Sequence, residues 1–431
     1  MTKPAEPLQA PAHNATIDAW LDYQLALHSI EIDMGLSRVT QVAERLALLR
    51  SDSKVITVGG TNGKGTTCRM LEEILFAAGY SVGVYSSPHL EHYNERIRIN
   101  HNNVADAAIV AAFEQIDAAR GDISLTFFEF GTLAALLLFK QQRPDVVILE
   151  VGLGGRLDAT NIIDADISAI TSVDLDHQAF LGNTREQVGY EKAGICRQHR
   201  PLIVGEPNMP VTVAEVASAK GAVLKRVGHE FSYQADSQQW QFSGAQWQLN
   251  ALPLPQLPLP NAATTLAILE QLMPQLPEAA IHAGLKNATL VGRMEQLSQQ
   301  PLLVLDVAHN PHAARYLVTK LAELRQQRPA SSRCYAICGM LKDKDIHGVL
   351  DIVAPLVDAW SLVTIHNERG ATAQMLQQAL PEGQHATQFD DFSTAWRTLA
   401  TTVRQEDVVI VFGSFYTVSG FKEVVQTIGK E

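Results

Sequence analysis

The stretch KVITVGGTNGKGTTCRMLEEILFAAG, residues 54–79, reads as strand, loop and helix in immediate succession. KVITVGG (54–60) is a near-continuous apolar run, as a strand buried on both faces requires. TTCRMLEEILFAAG has helical spacing and stops at Gly79. Between them, closely spaced glycines let backbone N–H groups crowd around phosphate oxygens, and the helix N-terminus adds partial positive charge. Asn62, Gly63, Lys64, Gly65, Thr66 and Thr67 therefore form a candidate phosphate-binding loop. Lys64 would neutralise terminal phosphates, and the Thr66 hydroxyl would reach phosphate or magnesium. The spacing departs from the standard loop: Gly59 stands one residue too close, and Gly65 separates the lysine from the threonine. A glycine-rich turn with an incidental lysine is the plainer alternative, but the strand and helix on either side favour nucleotide binding.

Outward from this loop, apolar runs alternate with helical patterns over roughly the first 290 residues, the signature of a parallel sheet flanked by helices. DVVILEVG (145–152) and DISAITSV (166–173) are further strands. Glu150 closes the first of them, where ligands of open α/β sheets bind, and could hold a magnesium ion. The loop GLGGRLDATN (152–161) follows with Arg156, Asp158 and Asn161, well placed to hold substrate. His177, beside Asp174 and Asp176 after the third strand, suits a metal or phosphate role. Lys192 stands in YEKAGI (190–195), where a solvated helix lysine is the simpler reading. Residues 229–250 alternate polar with apolar and predict a β-meander, and Asn261 is expected to cap the helix after the proline-spaced LPLPQLPLPN (252–261). A second α/β unit starts near Pro301 with the strands PLLVLDVA, RCYAICGM, AWSLVTI and DVVIVFG. Asp306 ends the first of these and could bind ribose, while Arg293 in the preceding segment could pair with phosphate. The expected fold is α/β: a P-loop NTPase-like, mainly parallel sheet domain (1–291), a hinge linker (292–300) and a smaller Rossmann-like C-terminal domain (301–431).

The net charge of −12 over 431 residues argues against nucleic-acid binding, which needs a basic face. It also means that cations serving anionic substrates must be gathered locally, in motifs. No apolar run approaches the roughly 20 residues of a bilayer span. The N-terminus, with Pro4, Pro7 and Pro11 and no apolar core, reads as a frayed lead-in and not as a secretory signal. Four dispersed cysteines fit a reducing cytosol, and Cys334 with Cys338 share one face of a strand as packing residues.

Several segments together resemble one family: GGTNGKGTT, SSPHL (86–90), NERIRIN (94–100), FFEFGT (127–132), LEVGLGGRLDATN (149–161), DHQAFLG (176–182), EKAGI (191–195), GRMEQ (292–296) and DVAHNP (306–311). They look like the dihydrofolate synthase/folylpolyglutamate synthase family of the Mur ligase superfamily, in order and over most of the chain. The resemblance implies an ATP- and Mg²⁺-dependent ligase that joins L-glutamate to dihydropteroate and to reduced folates; a cytoplasmic location is expected from the cysteines, and a monomer is the default expectation. It implies that Lys64, Lys192, His177 and Glu150 are catalytic, with Lys192 carbamylated. Ser87, Glu150 and His177 would ligate magnesium. Asn261, Arg293 and Asp306 would join the phosphate loop in holding nucleotide. Asp33 in EIDMGLSRV (31–39), Thr126, Phe128, Arg156 and Asp158 would line the folate site, and His309 and Ser414 would meet the incoming glutamate. A cell-wall ligase with a UDP-sugar acceptor, or a non-catalytic nucleotide switch, are the rival readings. Only about 50 residues precede the phosphate loop, and a switch needs neither metal ligands nor a second nucleotide-contacting domain.

Overall fold

A computed structural model describes residues 9–428, so the lead-in around Pro4 and Pro7 lies outside the described residues. The chain divides into two compact units, one ending at Ala288 and the other beginning at Thr289.

The first unit is built on eight strands: β1 (Lys54–Gly59), β2 (Val82–Tyr85), β3 (Ile97–Ile99), β4 (Asn102–Asn103), β5 (Val146–Glu150), β6 (Ile167–Ile170), β7 (Pro201–Val204) and β8 (Val223–Arg226). Their order is β4-β3-β2-β5-β1-β6-β7-β8, and only the β2–β3 and β3–β4 pairings are antiparallel. Residues 55–59, all of β5 and all of β6 are buried, which explains why apolar side chains run through them without alternation. Val58 pairs with Glu150, and Gly59 with Ile170, so β1, β5 and β6 end level with one another. The chain leaves β1 for β2 on one side, across β5, while β6 lies on the other. Such a reversal opens a ligand crevice at the carboxyl ends of the strands.

The expected meander exists as a separate antiparallel sheet of β9 (Ser232–Ala235), β10 (Gln239–Ser243) and β11 (Gln248–Pro253). Trp240 and Phe242 are the buried alternate positions of β10. The helix after it starts at Leu259 with Pro258 at the N-cap. Asn261 therefore lies inside the first turn and is not the cap the sequence suggested: proline already supplies the fixed φ of a helix start.

The second unit holds β12 (Glu295–Gln299), β13 (Leu302–Asp306), β14 (Cys334–Cys338), β15 (Ala359–Val363), β16 (Ala386–Phe389) and β17 (Val408–Phe412). The order is β12-β13-β17-β14-β15-β16, parallel apart from β12. Residues 295–299 of the expected 292–300 linker are thus an edge strand of the second sheet. Their polar side chains face solvent at an edge, which hid the strand from a reading by apolar pattern. Cys334 and Cys338 are buried in β14, where burial pushes both thiols up. Among the described residues no helix is long and apolar enough to cross a membrane.

Candidate active site

The phosphate loop leaves β1 and enters the helix Lys64–Ala77. Gly63 is the helix N-cap with φ +88°, and a Cβ there would stand 2.6 Å from Asn261 Oδ1. Glycine is required on both counts. The loop is buttressed by the chain after β6. Thr61 Oγ1 donates to the Asp174 carbonyl (3.0 Å), Asn62 N–H donates to Ser172 Oγ (3.0 Å), and Thr171 Oγ1 donates to the Asn62 carbonyl (2.6 Å). Lys64 Nζ curls back to donate to the carbonyls of Gly60 (2.9 Å) and Thr61 (3.3 Å), which keeps the ammonium over the loop. Thr66 Oγ1 donates to the Gly63 carbonyl (2.9 Å) and accepts from Asn261 Nδ2 (2.6 Å). Thr67 Oγ1 is buried without a hydrogen-bond partner among the described residues. A helix N-terminus, a glycine cradle and a lysine suit a nucleotide phosphate.

Glu150 is buried at the end of β5, and its Oε2 accepts from the Ser87 N–H at 3.3 Å, which puts two of the expected magnesium ligands side by side. His177 has left-handed backbone (φ +48°) and heads the short helix Gln178–Leu181. Among the described residues no three His, Cys, Asp or Glu side chains gather as a metal site. The expected set contains only two such side chains, with a serine as the third ligand. Carboxylate and hydroxyl oxygens are the hard donors that magnesium takes, so Glu150 and Ser87 fit the ion, whereas the imidazole of His177 is a softer nitrogen donor.

Lys192 sits in the last turn of the helix Arg185–Ala193, buried at 3% exposure, so the solvated-lysine alternative falls. Burial first and the Lys64 charge second pull its ammonium down to about 7, against the opposing fields of Asp176 and Asp158.

Of the residues expected at the folate end, Thr126 and Asp33 are linked through Glu129 and Arg38. Thr126 caps the helix Phe127–Gln142 reciprocally with Glu129. Glu129 then accepts from Arg38 Nη2 (3.2 Å), Arg38 Nη1 donates to Asp33 (2.6 Å), and Asp33 meets His28 Nε2 (3.2 Å). Arg38 falls in the expected 31–39 segment and Glu129 in FFEFGT without being singled out, and His28 escaped the sequence reading. Phe128 lies over the glycine loop, where a Cβ on Gly152 would come within 2.6 Å of its ring. Asp158 is buried, and its carboxylate accepts from Leu153 N–H (2.9 Å), Thr160 N–H (3.0 Å) and Thr160 Oγ1 (2.6 Å), so it shapes the loop itself. Burial raises its pKa against those bonds. Arg156 pairs with Glu191 (2.8 Å) and covers Tyr190, an anchor the sequence reading missed.

In the second unit Asp306, at the end of β13, accepts from Met294 N–H (2.9 Å) and Ala308 N–H (2.8 Å). Burial raises its pKa and the Arg293 charge opposes that. Arg293 lies over the Phe415 ring at 5.3 Å. His309 Nδ1 donates to the Val307 carbonyl (2.9 Å). Ser414 is buried, its hydroxyl bonded to Thr417 Oγ1 at 2.7 Å.

Residues 58–230 match the Mur ligase middle domain, and residues 292–415 match the glutamate ligase domain of Mur ligases. The Escherichia coli (strain K12) dihydrofolate synthase/folylpolyglutamate synthase is 50% identical over 417 residues, 97% of each chain. The chain belongs to the dihydrofolate synthase/folylpolyglutamate synthase family. Two solved structures of relatives agree in fold. E. coli FolC in complex with DHPP and ADP superposes with a TM-score of 0.94 at 50% identity, covering 97% of this chain and 100% of that one. A bifunctional folylpolyglutamate synthase/dihydrofolate synthase with Mn, AMPPNP and L-glutamate bound gives 0.91 at 51% identity, with 97% and 100% covered. The cell-wall ligase and nucleotide-switch readings yield to this family.

Proposed function

We propose that this chain is an ATP-dependent ligase that joins L-glutamate to dihydropteroate, forming dihydrofolate, and to the γ-carboxylate of reduced folates. The observation that carries the reading is the phosphate loop with Lys64 laid over it, beside a buried Glu150 and a buried Lys192. The ADP, DHPP, AMPPNP, manganese and L-glutamate held by the two related structures support it.

A carboxylate is a poor acyl donor. Its oxygen attacks the γ-phosphorus of ATP, the bond to the β-phosphate oxygen breaks, and ADP leaves an acyl phosphate. The glutamate amine then attacks the acyl carbon, loses a proton and expels inorganic phosphate, leaving an amide. Ser87, Glu150 and His177 would hold Mg²⁺, which supplies charge neutralisation at the phosphates. Lys64 holds positive charge where negative charge develops on the transferring γ-phosphoryl group. Arg293, in the 292–300 segment, and Asp306, in the C-terminal domain (301–431), contact the nucleotide. Asp33, Thr126, Phe128, Arg156 and Asp158 bind the folate in the 1–291 domain, and His309 and Ser414 meet glutamate.

Lys192 acts as its carbamate. A neutral amine adds to CO₂, forming an N–C bond and releasing a proton, and burial beside Lys64 favours that neutral form. The product is an anion suited to a metal-bearing site. The reading includes a cytoplasmic monomer, which the four buried free thiols support as to compartment. Steady release of ADP should require both glutamate and a pteroate substrate. ADP release with either one missing, at the full rate, would overturn the proposal.

A further inference from the structure

Arg98 in β3 makes five hydrogen bonds that tie together three separate segments. Its Nε donates to both oxygens of Glu72 (3.3 Å each) and its Nη2 to Glu72 Oε2 (3.1 Å). Its Nη1 donates to Ser86 Oγ (2.9 Å) and to the Glu95 carbonyl (3.0 Å). Glu72 belongs to the phosphate-loop helix, about two turns beyond Lys64. Its side chain is wholly buried, with Arg69 as a second partner at 2.9 Å. Burial alone would raise this carboxyl, but Arg98 and then Arg69 hold it below its usual value. Ser86 immediately precedes Ser87, whose N–H meets Glu150, and Ser86 N–H donates to the Arg96 carbonyl at 2.9 Å. The turn that follows is fastened from within: Glu95 accepts the N–H groups of Leu90, Glu91 and His92 at 2.7, 2.8 and 2.7 Å.

We propose that Arg98 is a positioning residue that, by bridging Glu72 and Ser86, holds the Ser87 loop in register with the phosphate-loop helix. A buried ion pair of this kind is weak evidence for stability, because desolvation of both partners offsets their attraction. Its geometry is what it contributes. The planar fork of arginine fixes direction as well as distance, which lysine cannot do. Groups behind metal ligands commonly change metal affinity or activity by about 10–100-fold when removed. Glu72, Arg98 and Ser86 stand in that relation to Ser87. The inference rests on Ser87 being a metal ligand.

Ser86→Ala tests it without disturbing the buried Glu72–Arg98 pair. The measurement is the Kd of the AMPPNP-loaded protein for Mn²⁺, by equilibrium binding, with Ser87→Ala as the reference. Ser86→Ala should weaken Mn²⁺ about tenfold, with thermal stability and the KM for glutamate held near the parent. Ser86→Thr, which keeps the hydroxyl, should restore parental binding. Arg98→Lys should weaken Mn²⁺ at least as much and speed amide exchange across residues 87–95. Parental Mn²⁺ affinity in Ser86→Ala, with binding lost in Ser87→Ala, would overturn the bridge and leave the metal assignment standing. Parental affinity in Ser87→Ala would remove the metal assignment, and the proposal with it.

Discussion

Lys192 is a cation in a place that disfavours cations. Its folded pKa, near 7, lies below the ordinary lysine value, so between about pH 7 and 10.5 the unfolded chain holds a proton that the folded chain has lost. Stability linked to this group therefore rises with pH through that window, and the burial penalty is fullest below it. In metal-free, CO₂-free buffer, Lys192→Met should be more stable than the parent. The gain should be largest below pH 7 and should shrink toward pH 10.5, as read from thermal unfolding at several pH values. A gain that does not vary with pH, or a loss at every pH, would contradict this account of the buried amine. The same variant should be inactive, so stability and function would be set against each other at one residue. Composition and spacing made Lys192 look like a surface lysine, and only the family resemblance marked it as special. Glu150 was legible because a carboxylate ending an apolar strand is unusual in itself. Arg38 and Glu129 fall in the quoted segments 31–39 and 127–132, but their pairing was not legible, since the two are 91 residues apart.

The loop-to-helix junction can be tested as an element. Gly63 combines φ +88° with the close approach of Asn261, so two separate effects oppose a side chain there. Gly63→Ala should lose about 1–2 kcal/mol from the left-handed backbone alone, and more from the contact with Asn261. It should also weaken nucleotide binding. In an Asn261→Ala background the contact is gone, and the cost of Gly63→Ala should fall toward the backbone contribution. Denaturant unfolding of the four proteins of this cycle measures the coupling, and strict additivity would contradict the close approach. The strand, loop and helix were readable because each left its own local pattern. The helix start at Leu259 was misread because Asn261, a good capping residue type, instead donates its side chain to Thr66. The edge strand Glu295–Gln299 was read as a connector because most of its side chains are polar.

For the molecule as a whole, the sequence announced alternating strands and helices in two units but not the order β4-β3-β2-β5-β1-β6-β7-β8. Order depends on which strands meet in space, and nearly uniform apolar runs do not encode that. The order matters here because it sets β1 between β5 and β6 and so brings Lys64, Glu150 and the chain after Ile170 to one sheet edge. Among the described residues the structure supplies one such phosphate loop, and both proposed glutamate additions must pass through it. Glu150→Gln should lower the dihydropteroate and the reduced-folate reactions together, each by about 10²-fold or more. A fall in one reaction alone would require two catalytic centres. The central claim, that the acceptor carboxylate is activated by phosphoryl transfer from ATP, is tested most directly with dihydropteroate labelled with ¹⁸O in its carboxylate. The account predicts one ¹⁸O in the released inorganic phosphate for each amide formed. Amide formation with unlabelled phosphate would contradict it.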